Sequence, residues 1–216
     1  MVPPDVKDAT ISKPVAAPLP SFPAPRRAPP ALPPALVAGG VRLRAARRGD
    51  LPFLHALHRA LRAPDFALAP WSQVEREAVI RDQFALQHRH LLREYPRADY
   101  WIVERRTDPP EDASGSDAPI PIGRYYLDRH GRMWRAMDMG FLPGKRGFGG
   151  ALINWTKACA VAAGAHGVDL HVAHDNVRAR ALYLRLGFRD VDPPLDFYQR
   201  MIWLAACEGD GTGLDR

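Results

Sequence analysis

The sequence predicts an α/β fold of mixed strand direction, and three observations carry that expectation. Segments with a two-residue apolar period alternate with segments of helical period, in the order β-α-α-β-β-β-α-β-α-β-β. Three of the strand candidates follow one another with no helix between them, as in a meander, which a purely parallel sheet does not accommodate. The glycine-rich segment of the middle region has neither the GxxxxGK[ST] of a P-loop nor a GxGxxG followed by a strand and an acid, which argues against a doubly wound nucleotide fold.

Each element has a local reason. "VRLRAA" (41–46) alternates apolar and basic residues and reads as a strand. Asp50 can cap a helix over "LPFLHALHRALR", with Pro52 tolerated in its first turn. Pro64 and Pro70 bound the next loop, and "SQVE" (72–75) has the Ser-x-x-Glu form of a capping box that opens a long helix ending near Glu94, before Pro96. "DYWIVER" (99–105), "PIGRYYLD" (121–128) and "MWRAMDMGFL" (133–142) are the three consecutive strands. The loop 106–121 between the first two is rich in proline, glycine, serine and acids. A helix over about 150–163, a strand "GVDLHVAH" (167–174), a helix over 176–188 stopped at Gly187-Phe188, and a hairpin near 188–192 and 196–204 complete the order.

Composition bounds the rest. A length of 216 residues suits one domain with appendages. Residues 1–40 hold eleven of the 22 prolines, so they are expected to be a disordered Pro/Ala-rich arm; the domain is expected over 41–204 and a flexible tail over 205–216. No apolar run is long enough to span a bilayer, and the first residues lack the order of a secretory signal. The two cysteines, Cys159 and Cys207, form no CxxC or Cys/His cluster, which points to a reducing cytoplasm and no metal. Of the net charge of +6, residues 1–40 carry +2 (four Lys/Arg, two acids) and 205–216 carry −2 (one Arg, three acids), so the domain carries +6. That balance suits an anionic ligand such as a phosphorylated cofactor; with no RNA-binding motif and no interleaved basic and aromatic patch, nucleic acid is disfavoured.

The segment "LPGKRGFGGALI" (142–153) concentrates the chemistry. Glycines ahead of a helix let backbone N–H groups turn toward a ligand, and the helix N-terminus adds about half a positive charge. Lys145 and Arg146 add whole ones, so the loop suits a phosphate or pyrophosphate. One strand downstream, "DNVRARALYLRLGF" (175–188) sets Asn176, Ala179, Leu182, Tyr183, Gly187 and Phe188 at the spacing Asn-x-x-Ala-x-x-Leu-Tyr-x-x-x-Gly-Phe. Together the two segments resemble the GNAT-type N-acetyltransferase superfamily over roughly residues 41–204, in a bacterial branch whose substrates are mostly unassigned.

The resemblance implies a three-layer fold whose central, mostly antiparallel sheet of six to seven strands is flanked by about four helices, with acetyl-CoA in a cleft between strands four and five. It implies that Phe141, Leu142, Lys145, Arg146, Gly147, Phe148, Gly149, Gly150, Ala151 and Asn176 hold that co-substrate, the pantetheine arm running along backbone near Met139 to Leu142. Tyr183 would be the general acid for the departing thiolate, and an amine would attack the thioester directly. Asp138 is the first candidate base; His171 and His174 are others, on opposite faces of their strand. Gln83, Phe84, Gln87 and Tyr95 are candidate wall residues of the acceptor site, with Trp71 beside them. His88 and His90, spaced i,i+2, do not share a face and read as packing or solvent residues. The glycine loop is two residues shorter than the family pattern. Either Arg146, Gly149 and Ala151 satisfy Arg-x-x-Gly-x-Ala directly, or Gly149 takes the last glycine position and the loop lacks a pair. The implied function is therefore an N-acetyltransferase for a primary amine, small molecule or amino terminus. The alternative is a degenerate module with weakened CoA binding that serves protein interaction. A homodimer is compatible with the resemblance.

Overall fold

The computed structural model describes residues 18–106, 118–145, 147–195 and 197–206. One seven-stranded sheet organises them, in the order β1-β2-β3-β4-β5-β7-β6. The strands are β1 (Val41–Ala45), β2 (Asp99–Arg105), β3 (Ile120–Asp128), β4 (Met133–Phe141), β5 (Gly167–Ala173), β6 (Arg189–Leu195) and β7 (Tyr198–Leu204). Every neighbouring pair is antiparallel except β4 with β5. The helices are α1 (Pro34–Ala38), α2 (Leu51–Arg62), α3 (Gln73–Glu94), α4 (Phe148–Ala162) and α5 (Val177–Arg185).

Alternation along the strands builds a core on each face. On β2, Trp101 and Val103 point to one face and meet Leu152 and Trp155 of α4. Tyr100 and Ile102 point to the other and meet Leu54 of α2 and Phe84 of α3. Both faces of β2 and β3 are therefore covered, which is why these strands read as nearly continuous apolar runs. The long helix α3 begins where its capping box places it: the Ser72 side chain accepts from Glu75 N–H, and the Glu75 carboxylate accepts from Ser72 N–H at 2.7 Å. Asp50 precedes α2 but makes no side-chain cap bond to it. Its carboxylate accepts from Arg47 N–H and pairs with Arg44, closing a 3-10 turn instead.

The expected boundary at residue 40 is corrected. Residues 18–40 are built into the domain, while 1–17 lie outside the described residues. Leu36 of α1 is buried in the α4-side core. The Trp155 indole N–H donates to the Ala31 carbonyl at 2.9 Å. On the opposite face the His88 Nε2 meets the Pro20 carbonyl at 2.8 Å, and Phe22 stands edge-on to His88 at 4.9 Å between ring centres. Proline does remove ladder donors, but it leaves apolar surface and carbonyl acceptors available for packing, and at the start of α1 its missing N–H costs nothing. Residues 107–117 of the expected loop 106–121 and 207–216 of the expected tail 205–216, Cys207 included, fall outside the described residues.

A chain starting at residue 41 loses Leu36, Phe22 and the Ala31 acceptor together. Burial of the leucine alone is worth about 2–5 kcal/mol by the cost of comparable core truncations. Denaturant unfolding of residues 41–216 against the full chain is expected to show a loss of at least that size; equal midpoints would mean the segment only rests on the surface.

Candidate active site

β4 and β5 run in register from Met133↔Gly167 to Ala136↔Leu170 and then part, although β4 continues to Phe141 and β5 to Ala173. The parting coincides with an irregularity in β4. Across the β3–β4 pair, Leu127 faces Ala136 and Tyr126 faces Asp138, so Met137 is an extra residue, a β-bulge. The bulge inverts the alternation. Trp134 and Ala136 point to the α4 side before it, and Met139 and Phe141 point there after it. Asp138 and Gly140 thereby turn to the α2–α3 side, where Gly140 closes on Leu61 and Asp138 accepts from the Gln87 amide at 3.1 Å.

The gap between the parted strands is a cleft of about 1130 Å³, larger than one drug-sized ligand needs. Phe141, Leu142, Lys145, Gly147, Gly149, Gly150, Asn176 and Tyr183 all line it. The strand leaves the sheet through a turn with Pro143 and Gly144 at its centre; Lys145 N–H donates to the Leu142 carbonyl at 3.1 Å, and Gly144 supplies the positive φ such a turn requires. Gly147, at φ 94°, then caps α4 in a conformation that disfavours other residues, and as a glycine it offers the helix no side-chain cap. The first-turn N–H groups of α4 thus have no intrahelical partner, at the positive end of the helix dipole. Gly149 keeps the helix start close to β4: a Cβ there would stand 3.3 Å from the Met139 methyl. Loop and helix start therefore fit a pyrophosphate.

Some expected site residues lie elsewhere. Phe148 lies tilted against Phe141 and under the Arg105 guanidinium, and Ala151 packs into the α4-side core; neither lines the cleft. Helical periodicity turns them inward from the glycines beside them. Phe84 is corrected from acceptor wall to core: it is buried between the rings of His58 and His88. Tyr95 also stays outside the cleft, its hydroxyl accepting from Arg135. Gln83 and Gln87 do line it. Arg146 lies outside the described residues.

Electrostatics separate the titratable candidates. Asp138 forms an ion pair with Arg124 at 2.8 Å, the guanidinium being almost wholly buried. Tyr183 reaches the cleft from α5. Burial, and after it the negative charge of Asp138, pushes its phenol up to about 12. His171 lines the cleft and His174 does not. Partial burial and then the Arg135 charge hold the His171 imidazole below its ordinary value, against an opposing pull from Asp169. Asn176 caps α5, its Oδ1 accepting from Ala179 N–H at 3.1 Å, and still faces the cleft. Among the cleft residues missed in the sequence are His58, whose ring is held down to about 4 by burial and then by the Arg124 charge, and Arg124 itself. Both had a signal. His58 falls on the apolar stripe with Leu54, Leu57 and Leu61, and Arg124 is a lone charge inside an apolar strand.

A mixed sheet whose one parallel pair parts beside a glycine-capped helix leaves a cleft suited to an extended, phosphate-bearing ligand. The chain belongs to the acetyltransferase (GNAT) family, whose model matches residues 76–188. It is accordingly an acetyl-CoA-dependent acetyltransferase, with acetyl-CoA as co-substrate. Among solved structures it is similar to the PaiA N-acetyltransferase of Thermoplasma acidophilum in complex with coenzyme A, at 15% identity and TM-score 0.54, over 76% of this chain and 99% of that one. It is also similar to the spermidine N-acetyltransferase of Vibrio cholerae in complex with CoA and spermine, at 24% identity and TM-score 0.48, over 76% of this chain and 95% of that one. No curated protein matches the sequence. Among the described residues, no helix is long and apolar enough to cross a membrane, and no group of three or more metal-ligating side chains is present.

The Arg124–Asp138 pair makes a direct stability claim. Asp138→Asn leaves a buried guanidinium without its counter-charge, a change that costs about 3–5 kcal/mol in comparable pairs. Denaturant unfolding should register that loss; a shift under about 1 kcal/mol would mean that water reaches Arg124 and the pair is effectively exposed.

Proposed function

We propose that the chain transfers the acetyl group of acetyl-CoA to a primary amine by direct attack, with Tyr183 as general acid. The observation that carries this reading is the convergence on one cleft of the glycine-capped start of α4, the open edge of β4 and Tyr183. Lys145, Gly147, Gly149 and Gly150 are suited to hold the pyrophosphate, Arg146 being part of the same segment by its sequence. Past Ala136, the β4 edge facing β5 has no ladder partner, so the backbone of Met137 to Phe141 is free to pair with an extended ligand arm. When bound, acetyl-CoA supplies an activated carbonyl and a thiolate leaving group.

The chain's own groups divide the proton work. A phenol at about 12 stays protonated through the neutral range, so Tyr183 always has a proton to give. The incoming amine must lose one. His171 is the better base, because it lines the cleft and its lowered value keeps it neutral and able to accept a proton at pH 7. Asp138, held in an ion pair by Arg124, is better suited to orient an ammonium than to take its proton. An N–H on the open β4 edge would stabilise negative charge developing on the carbonyl oxygen.

Tyr183→Phe is expected to lower kcat by about 10²–10⁴-fold, the usual worth of a positioned acid, while calorimetric acetyl-CoA affinity stays within about threefold. An unchanged kcat would remove Tyr183 from the chemistry. The pH profile tests the base. His171 acts only when neutral, so kcat/KM should be level above its value and fall as pH drops through it, with the midpoint below 6.5. His171→Gln should abolish that acid limb; a limb that survives the substitution assigns it to another group.

A further inference from the structure

The α2–α3 side of the cleft holds a polar box, a group of buried polar side chains. Arg124 and Asp138 pair there, and Gln87 ties Asp138 to α3. Three side-chain atoms around that pair are buried and have no partner: Arg124 Nε, His58 Nε2 and Gln83 Oε1. All three residues line the cleft, and Arg124 and His58 are each more than nine-tenths buried. Buried polar atoms in folded proteins are almost always satisfied, so orphans on three residues that line one cavity are capacity that a ligand or its water can take up once those side chains turn toward it.

The chemistry of the box selects the ligand. Among the described lining residues Asp138 is the only carboxylate, and Arg124 already occupies it. Among the described lining residues there is no second acid for a distal ammonium, and the other charged side chains are cationic: Arg178, Arg185, Lys145 of the pyrophosphate loop and Arg62, which pairs with Asp65. A polyamine would bring two or three positive charges into that field. Arg124 Nε–H is a charged donor that needs an anionic or carbonyl oxygen. Gln83 Oε1 is an acceptor that suits an amine N–H. The box thus presents a donor on the guanidinium and an acceptor from α3, with one buried carboxylate that can share an ammonium.

We infer that the acceptor is a primary amine that also bears a carboxylate, an amino acid in the broad sense, with its carboxylate oxygen on Arg124 Nε and its nitrogen toward Gln83 and Asp138. His58 Nε2 completes the box, donating to the same carboxylate in one tautomer. This rests on the acetyl-CoA-dependent transfer proposed above and adds to it the substrate class.

The test uses the full chain with acetyl-CoA and a thiol-release readout. Acceptors are α- and short ω-amino acids, their amides, the matching decarboxylated amines, and spermidine. A carboxylate-bearing amine is expected to exceed its decarboxylated counterpart in kcat/KM by about ten- to a hundredfold, the worth of a charge-assisted hydrogen bond, with the amide between them. Arg124→Lys keeps a cation beside Asp138 but lacks the Nε–H; with its fold verified by an unchanged melting profile, it should collapse that ratio toward one. The wild-type ratio decides the matter even if the variant does not fold. Spermidine or a decarboxylated amine turning over as well as the amino acids, or failure of every carboxylate-bearing amine while acetyl-CoA still binds, overturns the inference and leaves the transferase reading standing. Absence of acetyl-CoA binding overturns both.

Discussion

One extra residue in one strand sets the geometry on which the cleft depends. If β4 alternated regularly, Asp138 would follow Trp134 and Ala136 onto the α4 side, in an apolar core where its charge would have no counter-ion. The Met137 bulge inverts the alternation, delivers Asp138 to the buried Arg124, and coincides with the point at which β4 and β5 cease to pair. The irregularity thus sits where the sheet opens and aims polar side chains into the opening. The second effect follows from the two-residue period of a strand, because a one-residue insertion sends every later side chain to the opposite face.

The opening is tolerated because the ladder lost there is the weakest place to lose one. β4 keeps its antiparallel partner β3 through Phe141, and β5 keeps β7 through Ala173, so each strand has one complete edge. The two cores hold the parted halves from outside, α4 beneath and α2 with α3 above. Residues 18–40 belong to that support: Leu36 and Ala31 brace α4, while Pro20 and Phe22 brace α3. A cleft with unpaired backbone along its edge is stable only if its walls do not depend on closing it.

Much of this was legible in the sequence because it rests on local rules. The apolar run Tyr100 to Val103 between polar ends marked β2 at Asp99–Arg105, and the Ser72–Glu75 box fixed the start of α3. The glycine loop and the Asn176–Phe188 segment pointed to the cleft and to Tyr183. The rest was not local. A bulge at Met137 leaves no mark in "MWRAMDMGFL", because the register is set by β3. The docking of residues 18–40 was hidden by composition, since proline content reports lost hydrogen bonds and not packed surface. Phe84 and Gln83 are neighbours on α3, and only the packing of α3 on α2 decides which faces the core and which the cleft.

The account stands or falls on whether the glycine-capped start of α4 receives a pyrophosphate. Calorimetric titration of acetyl-CoA into the full chain, beside a Gly149→Glu variant that sets a carboxylate against the helix start and the Met139 side chain, tests this most directly. The account expects a dissociation constant in roughly the micromolar range for the native chain, about −8 kcal/mol, and loss of at least tenfold in the variant. No binding to the native chain at millimolar acetyl-CoA, or equal binding by both proteins, would contradict it.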